Sequence, residues 1–171
     1  MYQAFSKRGF ACLRFNFRGV GRSQGVYDNG EGELADAATA LDWLQNNNEA
    51  TRGCWLVGFS FGSWIALQLL MRRPEIEDFV AIAPPVNMFD FSFLTPCPSN
   101  GMVIQGGADE TVPADQVTAL AEKLQSQKGI DIQYKFLEES NHFFANELDD
   151  LTAIVEEYLD ERNVPRIIRE I

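Results

Sequence analysis

A single histidine, His142, and only three cysteines stand in this chain of 171 residues, and basic side chains are few. With one imidazole available, any site that needs two histidines from the same chain is excluded. Cys12, Cys54 and Cys97 are an odd number without CxxC spacing, and Cys12 and Cys54 fall in apolar runs where a thiol acts as a small core residue. Disulfides and a zinc site are therefore both disfavoured, and no metal is expected. The longest mostly apolar stretch, Trp64 to Met71, is interrupted by Gln68 and falls far short of the roughly 20 residues that cross a bilayer. Met1 to Gly9 carry Lys7 and Arg8 with no following apolar segment and cleavage site, so no secretory signal is visible and the cytoplasm is the expected location. Lysine and arginine number 14 against 25 acidic residues, a formal charge of −11. A field of that sign repels phosphate backbones and anionic membranes, so neither nucleic acid nor a membrane is an expected partner.

What is present is ordinary globular material: 46% hydrophobic and 23% charged residues, in a length that suits one domain over 1–171. Strand-like runs alternate with helical periodicity, the pattern of a mostly parallel sheet covered on both faces. Met1 to Arg8 reads as the end of a helix stopped by Gly9, and Phe10 to Phe17 as a first strand closed by the turn Arg18-Gly19-Val20-Gly21. Glu31 to Asn47 places Leu34, Ala37, Ala38, Leu41 and Leu44 at helical spacing, with acidic residues at its positive end. Cys54 to Phe59 is a second strand, and Phe61 to Arg73 a buried helix ended by Pro74. Phe79 to Ala83 and Met102 to Gln105 are further buried strands. The stretch 84–100 between them is too long and aromatic for a plain connection and is a candidate small cap or pocket loop. A helix around Val117 to Leu124, a strand at Ile130 to Leu137 and a helix at Leu148 to Leu159 complete a count of five strands and about five helices.

Gly58-Phe59-Ser60-Phe61-Gly62 matches GxSxG at the point where a buried strand turns directly into a buried helix. A serine on so tight a turn holds a strained backbone, and side chains two positions to either side are expected to collide unless they are glycine. The turn also aims the amide of Phe61 along the helix dipole as one oxyanion donor. A hydroxyl is a weak nucleophile and needs a base together with an acid that orients it. Asp109, in Gln105-Gly106-Gly107-Ala108-Asp109, follows one strand; His142, in Ser140-Asn141-His142-Phe143-Phe144, follows the last. Loops leaving the carboxyl ends of parallel strands share one edge, so the order Ser, Asp, His is one that such a sheet brings together.

At these residues the chain resembles an α/β-hydrolase, and more specifically the small bacterial cap-less hydrolases similar to dienelactone hydrolases and short-chain carboxylesterases. The strings Arg14-Phe15-Asn16-Phe17-Arg18-Gly19-Val20-Gly21-Arg22-Ser23, Asp42-Trp43-Leu44 and Val112-Pro113 carry the likeness beyond the serine corner and the Asp109 loop, over nearly the whole chain. The resemblance implies a three-layer α/β-hydrolase fold. It implies Ser60 as nucleophile, His142 as general base then acid, Asp109 as orienting carboxylate and Phe61 as oxyanion-hole amide. It also implies a strand, a loop and a helix ahead of Phe10, with further strands before those, so the chain is expected to be N-terminally truncated or mis-started, or to dimerise through an exposed sheet edge. The loop so missing would supply the second oxyanion amide. Either the Phe10 and Cys54 strands pair directly, or an apolar edge stays open, with poor solubility as a monomer.

Blander readings stand beside these. Ser60 in a glycine turn, a surface His142 and a turn-forming Asp109 beside Glu110 are each ordinary; Glu138 and Glu139 are weaker candidates for the acid. The cluster Arg14, Arg18 and Arg22 with Gly19, Gly21 and Gly25 invites a dinucleotide reading, but GxGxxG needs glycine where Gln24 stands, so a scaffold loop with Arg18 and Ser23 bonding backbone is expected instead. Phe59, Phe89 and Phe143 are candidates for a substrate pocket. The expected function is a serine hydrolase cleaving small carboxylic esters or thioesters without cofactor. The competing reading is a weak or inactive relative that serves binding or assembly.

Overall fold

The computed structural model describes residues 1–49 and 53–164; the stretch 165–171 of the expected domain lies outside them. In chain order the elements are α1 (Tyr2–Ser6), α2 (Glu31–Asn46), β1 (Cys54–Phe59), α3 (Phe61–Leu70), β2 (Ile76–Ile82), β3 (Asn100–Gly106), α4 (Ala114–Gln125), β4 (Ile132–Leu137) and α5 (Leu148–Glu161), with a single 3₁₀ turn at Ser92–Leu94. The four strands form one parallel sheet in the order β1-β2-β3-β4.

The period-two alternation of the inner strands sorts side chains into two cores. Phe79, Ala81 and Val103 face a core built with Ala37 and Leu41 of α2, Ile65 and Leu69 of α3, and Val117 and Leu124 of α4. Val80, Ile82, Met102 and Ile104 face the other, with Ala4 and Phe5 of α1 and Val155 and Leu159 of α5. That is a three-layer α/β-hydrolase architecture. Underneath the sheet, Tyr158 Oη donates to Asp78 Oδ1 at 2.6 Å and Arg162 Nε to Oδ2 at 2.9 Å, tying α5 to β2. No helix of the described residues is long and apolar enough to cross a membrane.

Several expectations are corrected. Helix α3 stops at Leu70 rather than Arg73, because Pro74 offers no N–H and disfavours helical geometry at the residue before it. The sheet has four strands among the described residues, not five: Phe10 to Phe17 has strand-like composition but makes no ladder. Nor does it pair directly with β1. Phe10 touches Trp55 at a ring separation of 6.0 Å, and from there the two segments part around a slot. On the α1 side the slot is a hollow of about 490 Å³ between Leu13, Phe5, Trp55 and Val57. On the other side it is one of about 400 Å³ between Phe15, Leu41, Val57 and Ile65. A strand is defined by its partner, and this segment has none among the described residues.

The turn after it is a scaffold of another kind than expected. Ser23 Oγ does donate to a backbone oxygen, that of Asn16, at 2.9 Å. Arg18, however, grips a side chain: its Nη2 and Nε reach the two Asp36 oxygens at 2.8 and 3.1 Å, a fork on a carboxylate that suits guanidinium better than a lone carbonyl does. Glu33, buried in the first turn of α2, accepts the N–H groups of Gly30 and Asp28 at 2.8 and 2.9 Å and so closes the loop onto the helix start.

Candidate active site

The corner between β1 and α3 is one residue, Ser60, with φ +49° and ψ −123°. A non-glycine residue in that region is strained by about 1–3 kcal/mol and persists only where its surroundings over-determine it. They do so here. Ser60 N–H donates to Ile82 O at 2.8 Å, and Ser60 O accepts both the N–H and the hydroxyl of buried Ser63 at 2.8 and 2.6 Å. Gly58 is required by close approach, since a Cβ there would lie 2.4 Å from Ser63 Cα. The expectation for Gly62 is not met: a Cβ at that position would meet nothing within 4 Å. Gly62 borders the slot beside β1, which is the reason for the room.

Two later loops come to this corner. At the end of β3, Gly106 lets the His142 loop pack backbone on backbone, where a Cβ would sit 2.3 Å from Ser140 O. Gly107 N–H then bonds Leu137 O at 2.8 Å and Ala108 N–H bonds Ser140 O at 3.0 Å. Beyond the loop, buried Phe144 anchors in the α1/α5 core, while Asn141 Oδ1 accepts Phe143 N–H at 3.0 Å. The result is a continuous relay. His142 Nε2 lies 3.1 Å from Ser60 Oγ and His142 Nδ1 lies 2.8 Å from Asp109 Oδ2. The Asp109 side chain is 0% exposed and that of His142 8%.

Asp109 is saturated with donors. Thr111 and Val112 N–H each reach Oδ1 at 2.8 Å, and Gln105 Nε2 reaches Oδ2 at 3.1 Å beside the imidazole. Burial pushes this carboxyl up. The Val112 N–H, His142, the Thr111 N–H and Gln105 outweigh burial and hold it below the usual carboxylate range. These donors favour the ionised carboxylate, and a ring that turns Nδ1–H toward it presents Nε2 as an acceptor to the Ser60 hydroxyl.

Of the residues expected to form the site, Ser60, Asp109 and His142 converge, and Phe61 is the first residue of α3. Phe59 and Phe143 flank the imidazole at ring separations of 5.1 and 5.2 Å, and are 41% and 67% exposed. Phe89 instead stacks on Trp64 at 4.2 Å and lies against Phe61 at 5.6 Å. Glu110, Glu138 and Glu139 make no hydrogen bond or ion pair with His142 among the described residues. Gln105 and Phe144 are the contributors that sequence reasoning missed. For Gln105 the signal was available: a polar residue closing the apolar run Met102-Val103-Ile104.

A serine corner after β1, with a carboxylate beyond β3 and an imidazole beyond β4, fits an α/β-hydrolase of the serine type. The profile of the X-Pro dipeptidyl-peptidase (S15) family matches residues 1–168, and the chain belongs to that family within the α/β-hydrolase superfamily. It is similar to an Agrobacterium tumefaciens protein of unknown function, a candidate α/β-hydrolase, with 53% identity and a TM-score of 0.92 over 99% of this chain and 78% of that one. It is also similar to a Xanthomonas campestris serine hydrolase without a lid, at 34% identity and TM-score 0.77, over 91% of this chain and 67% of that one. Among curated relatives, it is 49% identical over 162 residues to an uncharacterized Rickettsia prowazekii protein, covering 92% of this chain and 68% of that protein. It is 26% identical over 139 residues to the human mitochondrial palmitoyl-protein thioesterase ABHD10, covering 78% of this chain but only 40% of that protein.

Proposed function

We propose that the chain hydrolyses small carboxylic esters or thioesters through an acyl-enzyme. Ser60 Oγ bonds to the carbonyl carbon as its proton passes to His142 Nε2, and the carbonyl oxygen becomes an oxyanion held by the Phe61 N–H. Collapse breaks the bond to the alkoxide or thiolate, which leaves with the proton from His142. Water then attacks the acyl carbon, gives its proton to His142, and the serine hydroxyl is restored as the acid departs. Asp109 holds the ring orientation throughout. Phe59 and Phe143 offer the acyl or leaving group an open apolar surface, and the 84–100 stretch serves as a pocket wall rather than a lid.

The observation that carries this reading is the hydrogen-bonded path from Ser60 Oγ through His142 to Asp109, starting at a strained serine. Likeness to a thioesterase supports the choice of substrate class, and likeness to a lidless serine hydrolase supports the serine route. The test is a fluorophosphonate probe with the Ser60→Ala variant. Covalent labelling of the wild type that is lost in the variant is expected, with p-nitrophenyl and acyl-thioester turnover lost alongside. Folded protein that does not label would favour the inactive, binding-type reading. Turnover of an X-Pro anilide in preference to either ester would overturn the substrate class. The partner proposed is a second copy of this chain, through the open edge of β1.

A further inference from the structure

We propose that Gln105 is a positioning residue: by sharing Asp109 Oδ2 with His142 it sets how much of the carboxylate's charge reaches the imidazole. The consequence for turnover rests on the hydrolase reading; the geometry does not. Gln105 is the second-last residue of β3, follows three wholly buried apolar side chains, and is itself 0% exposed. A buried amide needs partners for its polar atoms. Its Nε2 lies 3.1 Å from Asp109 Oδ2, 3.2 Å from Gly106 O and 3.2 Å from Val112 O, all acceptors, which settles the end of the amide that faces the loop. Its Oε1 is buried with no partner among the described residues. An unmade bond at a buried acceptor is unfavourable, so the donor contacts hold this orientation against that penalty.

The two carboxylate oxygens of Asp109 are then unequal. Oδ1 is taken by the N–H groups of Thr111 and Val112, so Oδ2 alone answers to both His142 and Gln105. Among the described residues neither Asp109 nor His142 is hydrogen-bonded or ion-paired to any further charged side chain; the ring is faced by Phe59, Phe143 and the Ser60 hydroxyl. Taking away the Gln105 donor concentrates negative charge on the side that faces Nδ1, which favours the imidazolium.

Since His142 is the sole histidine, its ring Cε1–H resonance reports on this site alone, in the intact chain and without turnover. In full-length Gln105→Met, similar in volume but without the donor, the titration midpoint of that resonance is expected to rise by about 0.5–1 pH unit. The acid limb of kcat/KM should move up with it, and kcat/KM at neutral pH should fall about 3–10-fold. In an Asp109→Asn background the same change should move the midpoint no further. An unmoved midpoint in folded Gln105→Met, or an equal shift without the aspartate, would overturn the proposal. Should that variant not fold, the wild type decides: the Gln105 side-chain amide resonances are expected to follow the histidine titration, and an insensitive amide counts against the role. Shifts of the expected kind in a chain that no phosphonate labels would support the positioning role and overturn the hydrolase reading, so the two can fail separately.

Discussion

Asp109 is held by two backbone donors on one oxygen and by two side chains on the other, so changing it to asparagine would leave the loop largely in place and alter the charge. The Thr111 and Val112 N–H groups would still find an oxygen, whereas an amide facing His142 Nδ1 would favour the wrong tautomer. Asp109→Asn is expected to lower kcat by about 10⁴-fold with little change in KM, read by steady-state ester hydrolysis. It also carries a stability signature. A carboxyl whose pKa is lower folded than unfolded contributes stability that is complete above its unfolded value near 3.8 and disappears as pH falls through the lower folded one. The Tm difference between wild type and Asp109→Asn should therefore be largest near neutrality and shrink on acidification below the usual carboxylate range. A difference constant with pH would show that folding does not lower the group.

The corner joining β1 to α3 separates two glycines that look alike in the motif. Gly58→Ala drives a methyl into Ser63 and should destabilise the fold by about 1–3 kcal/mol, in line with other overpacked sites. Gly62→Ala has open space in a helix and should be neutral or stabilise by about 0.5–1 kcal/mol, read from urea midpoints at constant m. Equal losses at both positions would mean that the corner is tighter than its geometry says. This pair also marks how far sequence reached. Local pattern located α2, β1, β3, α4, β4 and α5 to within a few residues, because period and caps are properties of neighbouring positions. It also brought Ser60, Asp109 and His142 to one edge, because parallel topology decides where strand ends lie. What it could not supply depends on who sits opposite: the open room at Gly62, the choice of Asp36 by Arg18, the amide of Gln105 turned onto Asp109, and the partnerless Phe10 to Phe17 segment.

That last segment leaves the molecule with two unlike sheet edges. At one, β4 alternates Ile132, Gln133, Tyr134, Lys135 and Phe136, with a polar or charged residue at every second place, a composition that discourages further pairing. At the other, β1 reads Cys54-Trp55-Leu56-Val57-Gly58-Phe59, apolar on both faces as a central strand would be, yet Val57 is 39% exposed and a slot separates it from the next backbone. An unpaired apolar edge favours association, while a charge of −11 opposes it through repulsion between copies. Salt decides between them, because the screening length falls from about 30 Å at 0.01 M to about 10 Å at 0.1 M, whereas strand pairing at contact is hardly screened. Light scattering after size exclusion should therefore show mass above the monomer that grows with protein concentration and with salt. Val57→Lys, which puts a cation on the open edge without entering either core, should return the protein to the monomer at every salt. A wild type that stays monomeric across both series would mean that the slot is closed or shielded in solution, and pairing of copies through β1 would have to be abandoned.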